Sequence, residues 1–249
     1  MAVYLNPRDM TGVTVLAQHY GGPLDVAAEL LGVSVTNMYR IEQRWRTAGL
    51  VKRETLRPVP GPRWVVPRRS VAELLLDHPV RHWMPTPKMA DHVTTVLRTR
   101  IALAGMDLDR WVSERQLRAE VGAPVRGVKR PHIHDGRYLD PKGQWWAVEV
   151  ELNAKDPAYA YRTLYAAIEA AAVAHCHGLI YYCRGDAVRN VIRTAADQLF
   201  KQQAHLFRGG LEVRMARLET LLSKPPTRGG IRPDLRLVDG GADINRTAL

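Results

Sequence analysis

Along residues 1–50, apolar positions recur at helical spacing in three runs separated by glycine-containing turns. The first run, Val13–Tyr20, stops at Gly21-Gly22. Pro23 suits the first turn of a second helix, on which Leu24, Ala27, Ala28 and Leu31 share a face. Gly32-Val33-Ser34 then forms a tight turn. Ser34 is the expected N-cap of a third helix, because its hydroxyl can accept from an amide that has no helical partner. In that helix Val35, Met38, Ile41 and Trp45 make one apolar stripe, and Gly49 closes it. Two short helices joined in this way predict a helix-turn-helix. The segments LVKRETL, RPVPGP and RWVVP follow and predict two short strands around a Pro/Gly turn, where a wing belongs. Residues 1–70 are therefore expected to form a winged helix-turn-helix.

Residues 71–105 carry two further helical patterns, VAELLLDH after the cap Ser70 and a longer amphipathic run over Met89–Leu103, with PVRHWMPTP as a linker between them. Ser113 and Gln116 make a capping-box pattern at the head of ERQLRAEVG. From residue 131 the period changes to two. HIHDGRYLD, the turn DPKG and QWWAVEVELN predict a hairpin. Asp156 and Pro157 then cap a helix, followed by the buried strand GLIYYC, the helix DAVRNVIRTAADQLFKQQ and the strand LEVRMA. This order predicts a mixed-sheet domain over residues 106–222, so the fold class is α+β or α/β. The segment from Ser223 to Leu249 is rich in Pro and Gly and is expected to be a disordered tail.

The 249 residues carry a formal net charge of +11. Ten Lys/Arg face five Asp/Glu in residues 1–70, so the excess is densest over the helix-turn-helix. A polyanion is the natural partner of such a field, since neutralising phosphates releases condensed counterions. Double-stranded DNA is the partner expected. Thr36, Asn37, Arg40, Gln43 and Arg44 lie off the apolar stripe of the third helix. With Ser34 at its N-terminus, they are the residues expected to meet a major groove. Arg53, Arg57 and Arg63 on the wing are placed for phosphates, which fix register without reading sequence. Small winged helices often work as homodimers, although no heptad here marks an interface. Two cysteines, Cys176 and Cys183, suit a reducing compartment. The N-terminus shows no signal pattern, and Glu169, His175 and His177 interrupt the most apolar stretch. A cytoplasmic protein with no membrane contact and no small-molecule cofactor is expected.

In QWWAVEVELN, Trp146, Val148, Val150 and Leu152 share one strand face, and Glu149 and Glu151 share the other. Asp135 in the preceding strand can lie across from them. Converging carboxylates repel unless hydrated or neutralised, and hard divalent ions neutralise them well. Mg2+ or Mn2+ is therefore the expected cofactor, held by Asp135, Glu149 and Glu151, with Glu114 as a fourth carboxylate. The pattern of Asp135 followed by Glu149-Val150-Glu151 on a hairpin resembles the core of the PD-(D/E)XK nucleases. That resemblance implies catalysis by Asp135, Glu149 and Glu151. Glu151 stands where lysine is usual, and Lys155 is a substitute. As a whole, a winged helix followed by RWVVP, the His92-bearing helix, WVSERQLR, PHIHDG and AVEVELNAK resembles the actinobacterial replication-relaxation family of plasmids and mobile elements, over roughly residues 10–215. The resemblance implies a DNA-binding protein acting in replication or transfer, with a metal-dependent nicking or endonuclease domain. This chain has His134 where the family usually has Pro before Asp-Gly.

Two alternatives belong to other classes. One is a DNA-binding regulator whose nuclease-like domain is inactive. The other rests on His132-Ile133-His134 with Tyr161 and Tyr165, which together resemble the HUH-type tyrosine relaxases, in which strand histidines hold a metal and a helix tyrosine attacks the phosphate. His175, Cys176, His177 and Cys183 match no closed zinc spacing, and the two cysteines are expected to be small core residues.

Overall fold

The computed structural model describes residues 5–223 except His82 and Arg208, so the expected disordered tail lies, beyond Ser223 itself, outside the described residues. Contacts divide the described residues into two compact units: residues 5–108 with 113–120, and residues 109–112 with 121–223. The helices expected to connect two domains fall within the first unit.

In the first unit α1 (Pro7–Gln18) begins earlier than its apolar pattern, because Asn6 and Asp9 form a capping box ahead of Pro7. A two-residue strand, β1 (Gly22–Pro23), precedes α2 (Leu24–Leu31), so Pro23 stands before the helix rather than in its first turn. Gly32 ends α2 in the left-handed region, at φ +58°. Ser34 Oγ then accepts from the Asn37 amide at 3.2 Å and opens α3 (Val35–Thr47). Leu16, Leu24, Ala27, Leu31, Met38 and Trp45 meet in one core. The expected stripe of α3 differs at two places. Val35 is 44% exposed, whereas Glu42 is buried and ion-paired with Arg46 and Arg63.

The expected wing strands are reduced to β2 (Trp64–Val65), antiparallel to β1, with isolated bridges Val51–Pro67 and Leu56–Trp64. Pro58, Pro60, Pro62 and Pro67 have no amide to donate, so a longer ladder cannot form there. Helix α4 (Arg69–Leu76) packs on α1, and α5 (Pro87–Ala104) packs on α2. Ser113 Oγ accepts from the Gln116 amide at 3.3 Å at the start of α6 (Glu114–Val121).

The second unit is built on a five-stranded mixed sheet of β3 (Trp111–Ser113), β4 (Gly136–Leu139), β5 (Trp145–Glu151), β6 (Gly178–Cys183) and β7 (Glu212–Arg217), in that spatial order. Strands β4 and β5 form the expected hairpin. Its turn is closed by Asp140 Oδ1, which accepts from the Lys142 and Gln144 amides. β6 and β7 run parallel to β5, so α7 (Pro157–Val173) and α8 (Gly185–Gln202) serve as crossovers. Asp156 caps α7 by accepting from the Tyr159 amide at 3.0 Å. Ala147, Leu164, Ile168, Leu179, Ile192 and Leu199 form the core between helices and sheet. A short α9 (Leu218–Leu222) follows β7. The first hairpin strand is shorter than expected: it starts at Gly136, and residues 131–135 stay off the ladder. Among the described residues, no helix is long and apolar enough to cross a membrane.

Candidate functional site

Register sets Glu149 beside Tyr181 and Glu151 beside Cys183, near the C-terminal end of β5. As expected, they share a face, but Ala147, Leu179, Tyr181 and Cys183 on that face belong to the core under α7 and α8. The off-ladder segment 131–135 supplies the groups that meet Glu149. His132 Nε2 lies 2.8 Å from Glu149 Oε1. The rings of His132 and His134 stand edge to face with centroids 5.2 Å apart. His134, only 1% exposed, donates from Nε2 to the carbonyl oxygen of Ala167 on α7 at 3.0 Å. A carbonyl can only accept, so that nitrogen carries the proton and Nδ1 of the neutral ring holds the lone pair.

Burial sets the electrostatics. It pushes His134 down to about 4, so the ring is neutral near pH 7. It pushes Glu149 up to about 7, and the charge of Asp135 acts in the same direction, against the hydrogen bond from His132. Burial would lower His132 as well, but the hydrogen bond and charge of Glu149, with Asp135, more than offset it and raise that imidazole. His132 and Glu149 thus hold one proton between Nε2 and Oε1.

One donor atom from each of His132, His134 and Glu149 lies within 4.8 Å of the other two. Among the described residues, this is the group of three or more His, Cys, Asp or Glu side chains so placed. The carboxylate set expected from the sequence is not drawn together in the same way. Asp135 Oδ2 accepts from the Val150 amide at 2.8 Å, and Glu151 is ion-paired with Lys155. Glu114 belongs to the first unit, where Arg118 Nε donates to it at 2.8 Å. The reason is geometric: residues two apart on a strand stand about 7 Å apart along it, and segment 131–135 sets the His132 imidazole in hydrogen-bond contact with Glu149, while Asp135 accepts from the Val150 amide.

The tyrosines of the relaxase alternative are otherwise engaged. Tyr161 donates to Gln202 Oε1 at 3.2 Å, and both Tyr161 and Tyr165 pack against the core. Cys176 and Cys183 are buried thiols, Cys183 being pushed up to about 12 by burial. His177 is paired with Glu212.

On α3, Thr36, Asn37, Arg40 and Gln43 are exposed along one surface. Ser34 is engaged as the cap. Arg44 is exposed but donates to both oxygens of the buried Asp9, at 3.0 and 3.2 Å. Arg53 and Arg57 are exposed on the loop that precedes β2. Arg63 is held by Glu42 and stacks on the Tyr39 ring at 4.8 Å. Tyr39, 42% exposed, adds an aromatic edge to this surface that its apolar spacing did not signal. Comparison with known proteins places no relative beside these features: no family model, no curated protein and no solved structure matches the chain.

Proposed function

We propose that the chain binds double-stranded DNA through an N-terminal winged helix-turn-helix and cleaves a phosphodiester at a divalent-metal site centred on Glu149, as the resemblance to replication-relaxation proteins of mobile elements implies. The observation that carries the reading is the convergence of the partly buried Glu149 carboxylate and two imidazoles at one end of the sheet. A largely desolvated carboxylate held next to ligating nitrogens has a ready use as a metal ligand. The acids stand on a hairpin followed by a crossover helix and a parallel strand, which supports a PD-(D/E)XK-like domain.

A divalent ion bound here would stabilise negative charge on a phosphate and acidify a water molecule. The residues divide the remaining work. Glu149 and His132 share a proton across their hydrogen bond, and they would lose it to solvent on holding the ion. Ala167 holds the His134 ring in one orientation. Lys155, paired with Glu151 and partly exposed, supplies a cation for the scissile phosphate. On the DNA side, Asn37, Arg40 and Gln43 are the residue types that pair with base edges, and Arg53 and Arg57 suit phosphates.

Supercoiled plasmid carrying DNA that the protein binds tests the reading, with Mg2+ or Mn2+ added. Wild type is expected to nick it. Glu149→Gln is expected to bind equally well and to nick at least about 100-fold more slowly. Arg40→Ala is expected to weaken binding by about tenfold or more. Wild-type protein that binds but leaves the plasmid intact with either ion would instead indicate a regulator with an inactive nuclease-like domain.

A further inference from the structure

We propose that His132, His134 and Glu149 form a site for one divalent first-row transition ion, such as Mn2+, Co2+ or Zn2+, and that the site prefers such ions to Mg2+. This deepens the reading above and rests on Glu149 as the metal-holding carboxylate.

Three features carry it. The donor atoms already lie within 4.8 Å of one another, so a small inward movement of flexible side chains brings them to a common ion. Two of the three donors are imidazole nitrogens, which suit Fe, Ni, Cu and Zn, with affinity rising from Mn through Co to Cu, whereas Mg2+ demands oxygens and retains water. The buried His134 ring is oriented by the Ala167 carbonyl, which is the second contact that ligating histidines usually make. Asp135 and Glu151, the oxygens that would build a magnesium site, are held by the Val150 amide and by Lys155. Segment 131–135 contributes two donors from one short stretch and β5 contributes the third, so the ion would tie that stretch to the sheet.

The test uses the full, metal-free chain without DNA. Titration with Co2+, followed by visible ligand-field bands and calorimetry, is expected to show one ion per chain, bound at least about tenfold more tightly than Mg2+. His132→Gln and Glu149→Gln should each weaken Co2+ binding at least about tenfold while circular dichroism melts show the fold retained. In wild type, electron spin-echo spectra of bound Mn2+ should show coupling to imidazole nitrogen, a readout that needs no variant. Mg2+ binding as tight as Co2+, Mn2+ coordinated by oxygen alone, or Co2+ binding undiminished in both variants would overturn the proposal. Transition-ion binding without DNA cleavage would remove the nuclease reading and leave this site standing. Cleavage supported by Mg2+ together with oxygen-only Mn2+ coordination would do the reverse.

Discussion

At Gly136 the Trp111 ring occupies the place where a β-carbon would stand, so the residue after Asp135 must lack a side chain. Gly136→Ala forces the ring or the strand aside. Overpacking of this kind costs about 1–3 kcal/mol, and calorimetry should show a melting temperature lower by several degrees. His19 offers a pH test on the first unit. Burial, then the charges of Arg100 and Arg115, hold its folded pKa well below the ordinary value. The unfolded chain takes up this proton below about pH 6.5, while the folded chain does not. Stability from neutral His19 is therefore present above that pH and is lost as pH falls. The melting temperature of wild type should drop more steeply between about pH 7 and pH 5 than that of His19→Gln, and parallel slopes would contradict this. At this scale the sequence already displayed His132, His134 and Glu149, though in separate schemes. Their convergence depends on residues 131–135 leaving the ladder and folding over β5, and no period in the chain encodes that.

Among the elements, those with a strong period were legible: α2, α3, α7, β6, α8 and β7 all stand where apolar spacing placed them. The misses have local causes. The start of α1 is set by the polar cap Asn6 and by Asp9 rather than by apolar residues. The ladder over residues 51–67, where wing strands were expected, is shortened by prolines, and the α3 stripe admits Glu42 because Arg46 and Arg63 satisfy it. The cap of α3 gives a direct prediction. Ser34→Ala leaves the Asn37 amide without its partner and should cost about 1 kcal/mol in a thermal or urea melt. DNA affinity should fall with it, because the same turn presents Thr36 and Asn37.

For the whole molecule, the apolar content announced an ordinary core, and the net charge of +11 is the ground on which a polyanion partner is proposed. The boundary between units was less legible. Helices 71–105 and 114–120 pack within the first unit, a matter of long-range contact rather than of linker composition. Charge-led binding predicts a linear fall of log affinity with log salt concentration, with a slope of about −0.9 per phosphate neutralised. Replacing Arg53 and Arg57 together by alanine should flatten that slope by about two such contacts, as titrations at several ionic strengths would reveal. Product analysis bears most sharply on metal-dependent cleavage at Glu149. End-labelled DNA that the protein binds is incubated with wild type and Mn2+, then denatured and resolved on a gel. The expected result is a nicked strand with free phosphate and hydroxyl ends and no protein attached, and no such product with Glu149→Gln. A covalent protein–DNA adduct that disappears in Tyr161→Phe/Tyr165→Phe, or DNA that stays intact while bound, would contradict it.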